Sequence, residues 1–184
     1  MITSWLETHH YQNFFYINSK LNQGKTGALK KGIEVAKGEY SITQDGDLEY
    51  DVNDIPRLLS YIKINNFDAV IGHRLTKFQK LDPLDITLKM GVVLLTNLFN
   101  ILYKTSFKDL SGGYKIFKTQ EIRSIEIQGK GFTFCYEVVI KLLKKGLAIG
   151  ELDIKYNARN RKNGKKIRLI DGLHCFYTII SNLR

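Results

Sequence analysis

The sequence has few of the residues that mark several common classes of protein. It contains two cysteines, Cys135 and Cys175, far apart in the chain. This spacing indicates neither a disulfide framework nor a zinc site, and a reducing, cytoplasmic setting is the default expectation. Only two prolines and no low-complexity tract occur, which argues against long disordered linkers. The N-terminus also lacks the basic and then apolar layout of a signal peptide.

Long uninterrupted apolar runs are missing as well. The longest apolar stretch, 86–103, carries Lys89 and several polar residues, so it is a poor candidate for a membrane-spanning helix. Apolar residues on all sides of the predicted helix indicate that it is buried or that it lies on a membrane surface. The segment is therefore compatible with a peripheral membrane protein.

What the chain has in excess is positive charge. Its 184 residues suit one domain, and the formal net charge is +10. Such a surplus of positive charge suits nucleic acid, anionic lipid or phosphate-bearing substrates as binding partners, and it does not distinguish between them. No aromatic-basic RNA motif or basic recognition helix stands out, so we do not expect a nucleic-acid partner. The sequence leaves the oligomeric state open.

Strand-like and helix-like stretches alternate along the chain. The expected strands are 14–17, 39–43, 67–72 and 147–156, and the expected helices are 28–36, 53–62, 84–104, 134–145 and 169–183. This alternation predicts an α/β domain with a mainly parallel sheet flanked by helices. Ligand sites in such sheets collect at the carboxyl ends of the strands.

An acidic pair, Asp45 and Asp47, follows one of these expected strands and flanks Gly46. Glycine allows a sharp bend and the close approach of a ligand. Two carboxylates turned to one point suit Mg²⁺ or Mn²⁺, which takes its remaining ligands from water and substrate phosphates. The alternative is a solvated acidic turn, which a bare pair of this kind favours.

Three further residues are candidates for binding an anionic group or for shaping the site. Lys25 precedes a predicted helix, although Ser19 stands where a nucleotide-triphosphatase phosphate loop needs glycine. It could meet an anion at the helix N-terminus or be a solvated lysine. Arg74 ends a predicted strand and could neutralise a phosphate or lie on the surface. Asp109, taken alone, is a turn residue.

Seven motifs in order carry a resemblance to a known family. They are N-x-G-K-x-x-A-L-x-x-G (22–32), A-x-G-E-Y (36–40), Q-D-G-D-L-E-Y (44–50), D-A-V-I-G-x-R (68–74), T-N-x-x-N (96–100), D-L-x-x-G-Y-K (109–115) and Y-x-x-R followed by G-K-K-I and D-G (156–172). From about Tyr16 to its end the chain resembles the family-two glycosyltransferases of the dolichol-phosphate mannosyltransferase type, which have the GT-A fold.

The resemblance implies an inverting transfer of a sugar from a nucleoside diphosphate sugar, commonly GDP-mannose or UDP-glucose, to a polyprenyl phosphate or a related acceptor. It implies that Asp45 and Asp47 hold Mg²⁺ or Mn²⁺ against the donor diphosphate. Arg74 would lie near a donor or acceptor phosphate. A lipid-phosphate acceptor also implies a site at the cytoplasmic face of a membrane.

The resemblance assigns roles to three more positions. Arg159 and Lys165 fall in the family's basic loop over the active site and would help to bind the phosphates. Asp109 lies in the acceptor-side motif. Because a phosphate acceptor is already a nucleophile, the mechanism needs no general base from the protein.

One departure from the family pattern concerns the start of the sequence. Family members begin with strands that end in an apolar-Pro-x-x-N-E motif and in D-D-G-S, which hold the nucleoside, whereas the first aspartate here is Asp45. We therefore expect a chain that lacks the nucleotide-recognition half, with two central strands missing. The alternative function is a non-catalytic or split-gene fragment that needs a partner or only binds phosphate or lipid.

Overall fold

A computed structural model describes residues 14–74, 83–157 and 169–183. Its helices are α1 (Gly24–Val35), α2 (Asp54–Ile64), α3 (Pro83–Tyr103), α4 (Thr119–Arg123), α5 (Phe134–Lys144) and α6 (Leu169–Ser181). Its strands are β1 (Tyr40–Thr43), β2 (Ala69–Arg74), β3 (Lys115–Lys118) and β4 (Ile149–Ile154). None of the helices within these ranges is long and apolar enough to cross a membrane.

The four strands form one mixed sheet in the order β1-β3-β2-β4. Strand β3 is antiparallel to both of its neighbours, and β2 and β4 are parallel. Strands β1, β2 and β4 therefore point the same way and β3 runs against them, so that one of the three neighbouring pairs is parallel and two are antiparallel. The α/β class with flanking helices is confirmed, and the sheet is mixed. The sequence pattern did not predict β3, because its four residues directly follow a flexible turn.

Helices cover both faces of this sheet. Neighbouring residues of β2 point to opposite faces, as the pleat requires. Val70 packs in a cluster with Leu58 and Ile62 of α2. Ile71 packs in another cluster with residues of α3, α5 and α6. Burial of the apolar face of α2 on one side and of α5 on the other makes a three-layer α/β arrangement.

Two predicted elements differ from the structure. Residues 14–17, predicted to be a strand, have no regular structure, and their side chains are 42–67% exposed. A strand needs a hydrogen-bonded neighbour, and no described strand pairs with this segment. Helix α1 begins at Gly24, four residues earlier than the apolar spacing predicted, so Lys25 lies in its first turn.

Candidate active site

Three loops meet at one edge of the sheet because of the direction of β3. Lys115 at the start of β3 pairs with Thr43 at the end of β1 and with Ile71 in β2. The loop after β1, the end of β2 and the loop before β3 therefore lie side by side. These segments carry Asp45, Arg74 and Asp109, so that folding brings together residues distant in the sequence.

Asp45 forms an ion pair with Lys25 from the first turn of α1. The Lys25 Nζ lies 2.7 Å from both carboxylate oxygens of Asp45, and the two side chains are 24% and 28% exposed. The neighbouring Thr26 is buried, and its hydroxyl donates to the Gly131 carbonyl at 2.9 Å, which fixes the first turn. Part-buried ion pairs of this kind are screened less than exposed ones.

Gly113 leaves the space that the Asp45 carboxylate occupies. A Cβ placed on Gly113 would lie 2.3 Å from Asp45 Oδ2, which no real contact allows. The loop before β3 therefore needs glycine at this position. The backbone of this loop forms one wall of the acidic site.

Asp47 lies on the same turn as Asp45 and is half-buried. Its Oδ1 accepts a hydrogen bond from the Glu49 amide at 3.2 Å. Between them, Leu48 has a left-handed backbone (φ +61°) and a side chain that is 89% exposed. Such a conformation costs about 1 kcal/mol for a residue other than glycine, and strain of this kind clusters at functional sites.

The acidic turn fits a divalent cation that keeps most of its ligands outside the protein. No group of three or more histidine, cysteine or acidic side chains among the described residues could hold a metal ion by itself. Two carboxylates are nevertheless what Mg²⁺ typically takes from a protein when waters and substrate phosphates supply the rest. Asp45 and Asp47 thus have the right ligand chemistry, and their role as metal ligands stays a prediction.

Arg74 and Asp109 form a bidentate pair beside this turn. The Arg74 Nε lies 2.6 Å and its Nη2 3.0 Å from the two Asp109 oxygens, and Nη2 also contacts the Ser111 hydroxyl. The Ser111 amide and hydroxyl donate to the same carboxylate at 2.9 and 2.8 Å. The side chains of Arg74 and Asp109 are only 18% and 10% exposed.

This pair is ionised over the whole physiological pH range. Burial alone would raise the pKa of Asp109, but the charge of Arg74 and the hydrogen bonds from Arg74 and Ser111 lower it to about 2. Burial likewise opposes the charged form of Arg74, and the charge of Asp109 more than offsets it, so its pKa lies above the usual value. Asp109, predicted from the residues alone to be a turn residue, is thus a buried partner of Arg74.

Comparison with known proteins gives the family. The model of Glycosyl transferase family 2 matches residues 1–126, which is more than half of the sequence. The chain belongs to glycosyl transferase family 2. The resemblance seen in the seven motifs is confirmed.

The relatives include several polyprenyl-phosphate sugar transferases. An uncharacterised protein of Methanocaldococcus jannaschii is 30% identical over 76% of this chain and 62% of its own length. The dodecaprenyl-phosphate galacturonate synthase of Rhizobium johnstonii is 26% identical over 75% of this chain and 39% of its own. The dolichyl-phosphate beta-glucosyltransferase of Dictyostelium discoideum is 26% identical over 85% and 50%. The chain spans 31–62% of the first four relatives that it matches.

Solved structures confirm the GT-A fold. Glucosyl-3-phosphoglycerate synthase of Mycobacterium tuberculosis, crystallised with Mn²⁺, uridine diphosphate and phosphoglyceric acid, superposes with a TM-score of 0.63 at 14% identity. The match covers 87% of this chain and 54% of that chain. At this level of identity the likeness concerns the fold.

Three tyrosines connect the loops of the site, and sequence reasoning gave them no role. The Tyr50 ring lies between those of Tyr114 and Tyr156, at 4.7 and 5.2 Å between centroids. The Gly113 amide donates to the Tyr50 hydroxyl at 2.6 Å, and Tyr156 lies 5.1 Å from the Arg74 guanidinium. Burial raises the pKa of Tyr156 to about 12 and that of Tyr50 further. All three tyrosines stand in the motifs quoted above, and their place in those motifs is the sequence signal that could have identified them.

Lys115 was also missed as a functional candidate. Its side chain is completely buried, and its Nζ donates to the Leu110 carbonyl at 2.9 Å and to the Gly112 carbonyl. Burial lowers its pKa. The lysine thus holds the loop that carries both Asp109 and Gly113. Of the remaining candidates, Arg159 and Lys165 lie outside the described residues.

Proposed function

We propose that this chain acts in an inverting, metal-dependent transfer of a sugar from a nucleoside diphosphate sugar to a polyprenyl or dolichyl phosphate or a related acceptor. The donor would be of the GDP-mannose or UDP-glucose type. The observation that carries the proposal is the meeting of the Asp45–Lys25 pair and the Arg74–Asp109 pair at one edge of the sheet. Relatives named for transfer to dodecaprenyl and dolichyl phosphate support the acceptor class.

In this proposal Asp45 and Asp47 hold Mg²⁺ or Mn²⁺, which neutralises the charge that develops on the leaving diphosphate. Lys25 adds a further positive charge at the same place. The solved relative that contains Mn²⁺ and uridine diphosphate supports the class of cofactor and donor. Preorganised positive charge aimed at the leaving group supplies the main catalytic effect.

Asp109 is a positioning residue in this mechanism. A carboxylate whose pKa is lowered to about 2 is a weak base, and its oxygens already accept four hydrogen bonds. A phosphate acceptor needs no general base, because its oxygen is already anionic. Asp109 therefore fixes the orientation of Arg74, and Arg74 neutralises donor or acceptor phosphate.

Exposed apolar side chains on two neighbouring helices support a membrane surface as partner. The Tyr103 hydroxyl of α3 donates to the Ile179 carbonyl of α6 at 2.9 Å, which holds the helices together. Apolar residues that are 40–76% exposed occur on both helices: Met90, Val93, Leu94 and Ile101 on α3, and Ile170, Leu173, Phe176, Tyr177 and Ile180 on α6. Such residues, with an excess of basic charge, suit an anionic lipid surface.

The decisive test is transfer of labelled sugar from GDP-mannose or UDP-glucose to a polyprenyl phosphate in anionic vesicles, with and without Mn²⁺. We expect Mn²⁺-dependent transfer by the wild-type chain, reduced about 100-fold or more by Asp47→Asn. Asp68→Asn is the matched control, since Asp68 just precedes β2 at the opposite edge of the sheet and pairs with Lys118.

Two results would count against the proposal. Full activity of the Asp47→Asn protein would remove the metal assignment. Absence of transfer by a folded wild-type chain with both donors would favour the alternative, a non-catalytic chain that needs a partner or only binds phosphate or lipid.

A further inference from the structure

Lys25 is already paired with Asp45, one of the two carboxylates proposed to bind the metal. Its ammonium contacts both oxygens of Asp45 at 2.7 Å. A divalent cation on Asp45 would sit about 2.1 Å from one of these same oxygens. The two cations would then be close neighbours in a part-buried site, where like charges repel strongly. Lys25 and the metal therefore compete for Asp45.

The described part of the protein supplies few ligands that would favour a metal ion over Lys25 when no nucleotide is bound. Among the residues in the described ranges no set of three or more ligating side chains surrounds the turn. A metal that arrives with a diphosphate brings further oxygen ligands of its own and is bound much more firmly. The same diphosphate carries negative charge to which a displaced ammonium can move.

Lys25 is able to make this move while its backbone stays fixed. Its Cα belongs to the first turn of α1, which the buried Thr26 hydroxyl anchors to the Gly131 carbonyl. The four-carbon side chain is flexible and carries three rotatable donors. A helix N-terminus also favours a phosphate near the same turn.

We propose that Lys25 exchanges partners as the donor binds, leaving Asp45 for the donor diphosphate when the metal takes the carboxylate. This inference rests on the proposed metal-dependent function and adds a binding order to it. The metal alone binds weakly, and the metal and the nucleoside diphosphate bind cooperatively. Removal of the Lys25 ammonium should then raise the affinity for the metal alone and lower the affinity for the nucleotide.

The test measures Mn²⁺ binding by the electron paramagnetic resonance of free Mn²⁺, and nucleotide binding by calorimetry with UDP and GDP at fixed Mn²⁺. In Lys25→Met we expect about tenfold tighter binding of Mn²⁺ alone and about tenfold weaker binding of the preferred nucleotide, a typical size for coupled sites. Lys30→Met is the control, because Lys30 is an exposed lysine on the same helix, and we expect wild-type affinities for it.

The possible failures are distinguishable. Equal or weaker Mn²⁺ binding by Lys25→Met, with Mn²⁺-dependent nucleotide binding by the wild type, would overturn the exchange and leave the proposed function standing. No Mn²⁺ binding by any of the three proteins, with or without UDP or GDP, would overturn both. Circular dichroism melts of the three proteins verify that each one is folded.

Discussion

The pair of Arg74 and Asp109 gives the sharpest quantitative prediction. Asp109→Asn keeps the volume of the side chain but removes its charge, so that the mostly buried guanidinium loses its counterion. The pKa of Asp109 is lowered from 3.8 to about 2. At ~1.4 kcal/mol for each pKa unit, ionisation of this group stabilises the fold by about 2 kcal/mol at neutral pH.

The usual cost of breaking a buried ion pair gives a similar loss of stability. Removing one partner of a buried ion pair typically costs about 3 kcal/mol or more. The remaining exposure of the two side chains, 18% and 10%, reduces that figure somewhat. We therefore expect Asp109→Asn to lower the free energy of unfolding by about 2–3 kcal/mol at pH 7.

The pH dependence of the stability difference tests whether the charge of Asp109 is responsible. Because the pKa is depressed in the folded state, the contribution is complete above the unfolded pKa of 3.8 and is lost as the pH falls through about 2. The difference in stability between wild type and Asp109→Asn should therefore shrink between about pH 4 and about pH 2. Urea unfolding followed by circular dichroism at several pH values measures it.

The control is Asp153→Asn, since Asp153 is 44% exposed and lies 3.5 Å from Arg57. This change should cost under about 0.5 kcal/mol. The electrostatic reasoning is refuted if Asp109→Asn is as stable as this control at pH 7. A loss of stability that is the same at every pH would refute it as well, because packing and not charge would then be responsible.

Three further changes test the walls of the site. Gly113→Ala should displace Asp45 and weaken Mn²⁺-dependent UDP binding about tenfold in calorimetry, because the new Cβ would lie 2.3 Å from Oδ2; unchanged binding would contradict this packing. Gly112→Ala should instead lower stability by about 1–3 kcal/mol in urea unfolding, since its Cβ would meet a backbone carbonyl of β2 at 2.5 Å, and a neutral effect would show that the backbone yields. Lys115→Met should cost about 2 kcal/mol or more, because two buried carbonyls lose their donor, whereas a stable variant would mean that water replaces the ammonium.

Local patterns in the sequence were sufficient to predict most of the secondary structure. The helices α2, α5 and α6 begin and end within one or two residues of their predicted bounds, because an apolar stripe at helical spacing is a property of the segment itself. The alternation of strands and helices likewise predicted the α/β class. The two failures, β3 and residues 14–17, concern short strands, whose formation depends on a neighbour elsewhere in the chain.

The site was predictable only in part. The sequence indicated Asp45 and Asp47 because they share one turn after a strand, and Lys25 because it precedes a helix. The ordered motifs indicated Arg74 and Asp109. It did not predict that Lys25 binds Asp45 or that Asp109 binds Arg74. Those partners are 20 and 35 residues apart, and no periodicity connects them.

The sequence by itself determined the class of fold, the family and the chemical character of the acidic turn, because each depends on residue types at short or ordered spacing. The tertiary structure alone decided the electrostatics of the site. By running against its neighbours, β3 brings its preceding loop to the ends of β1 and β2. That placement buries Lys115, gives Asp109 its cation and makes room at Gly113 for Asp45.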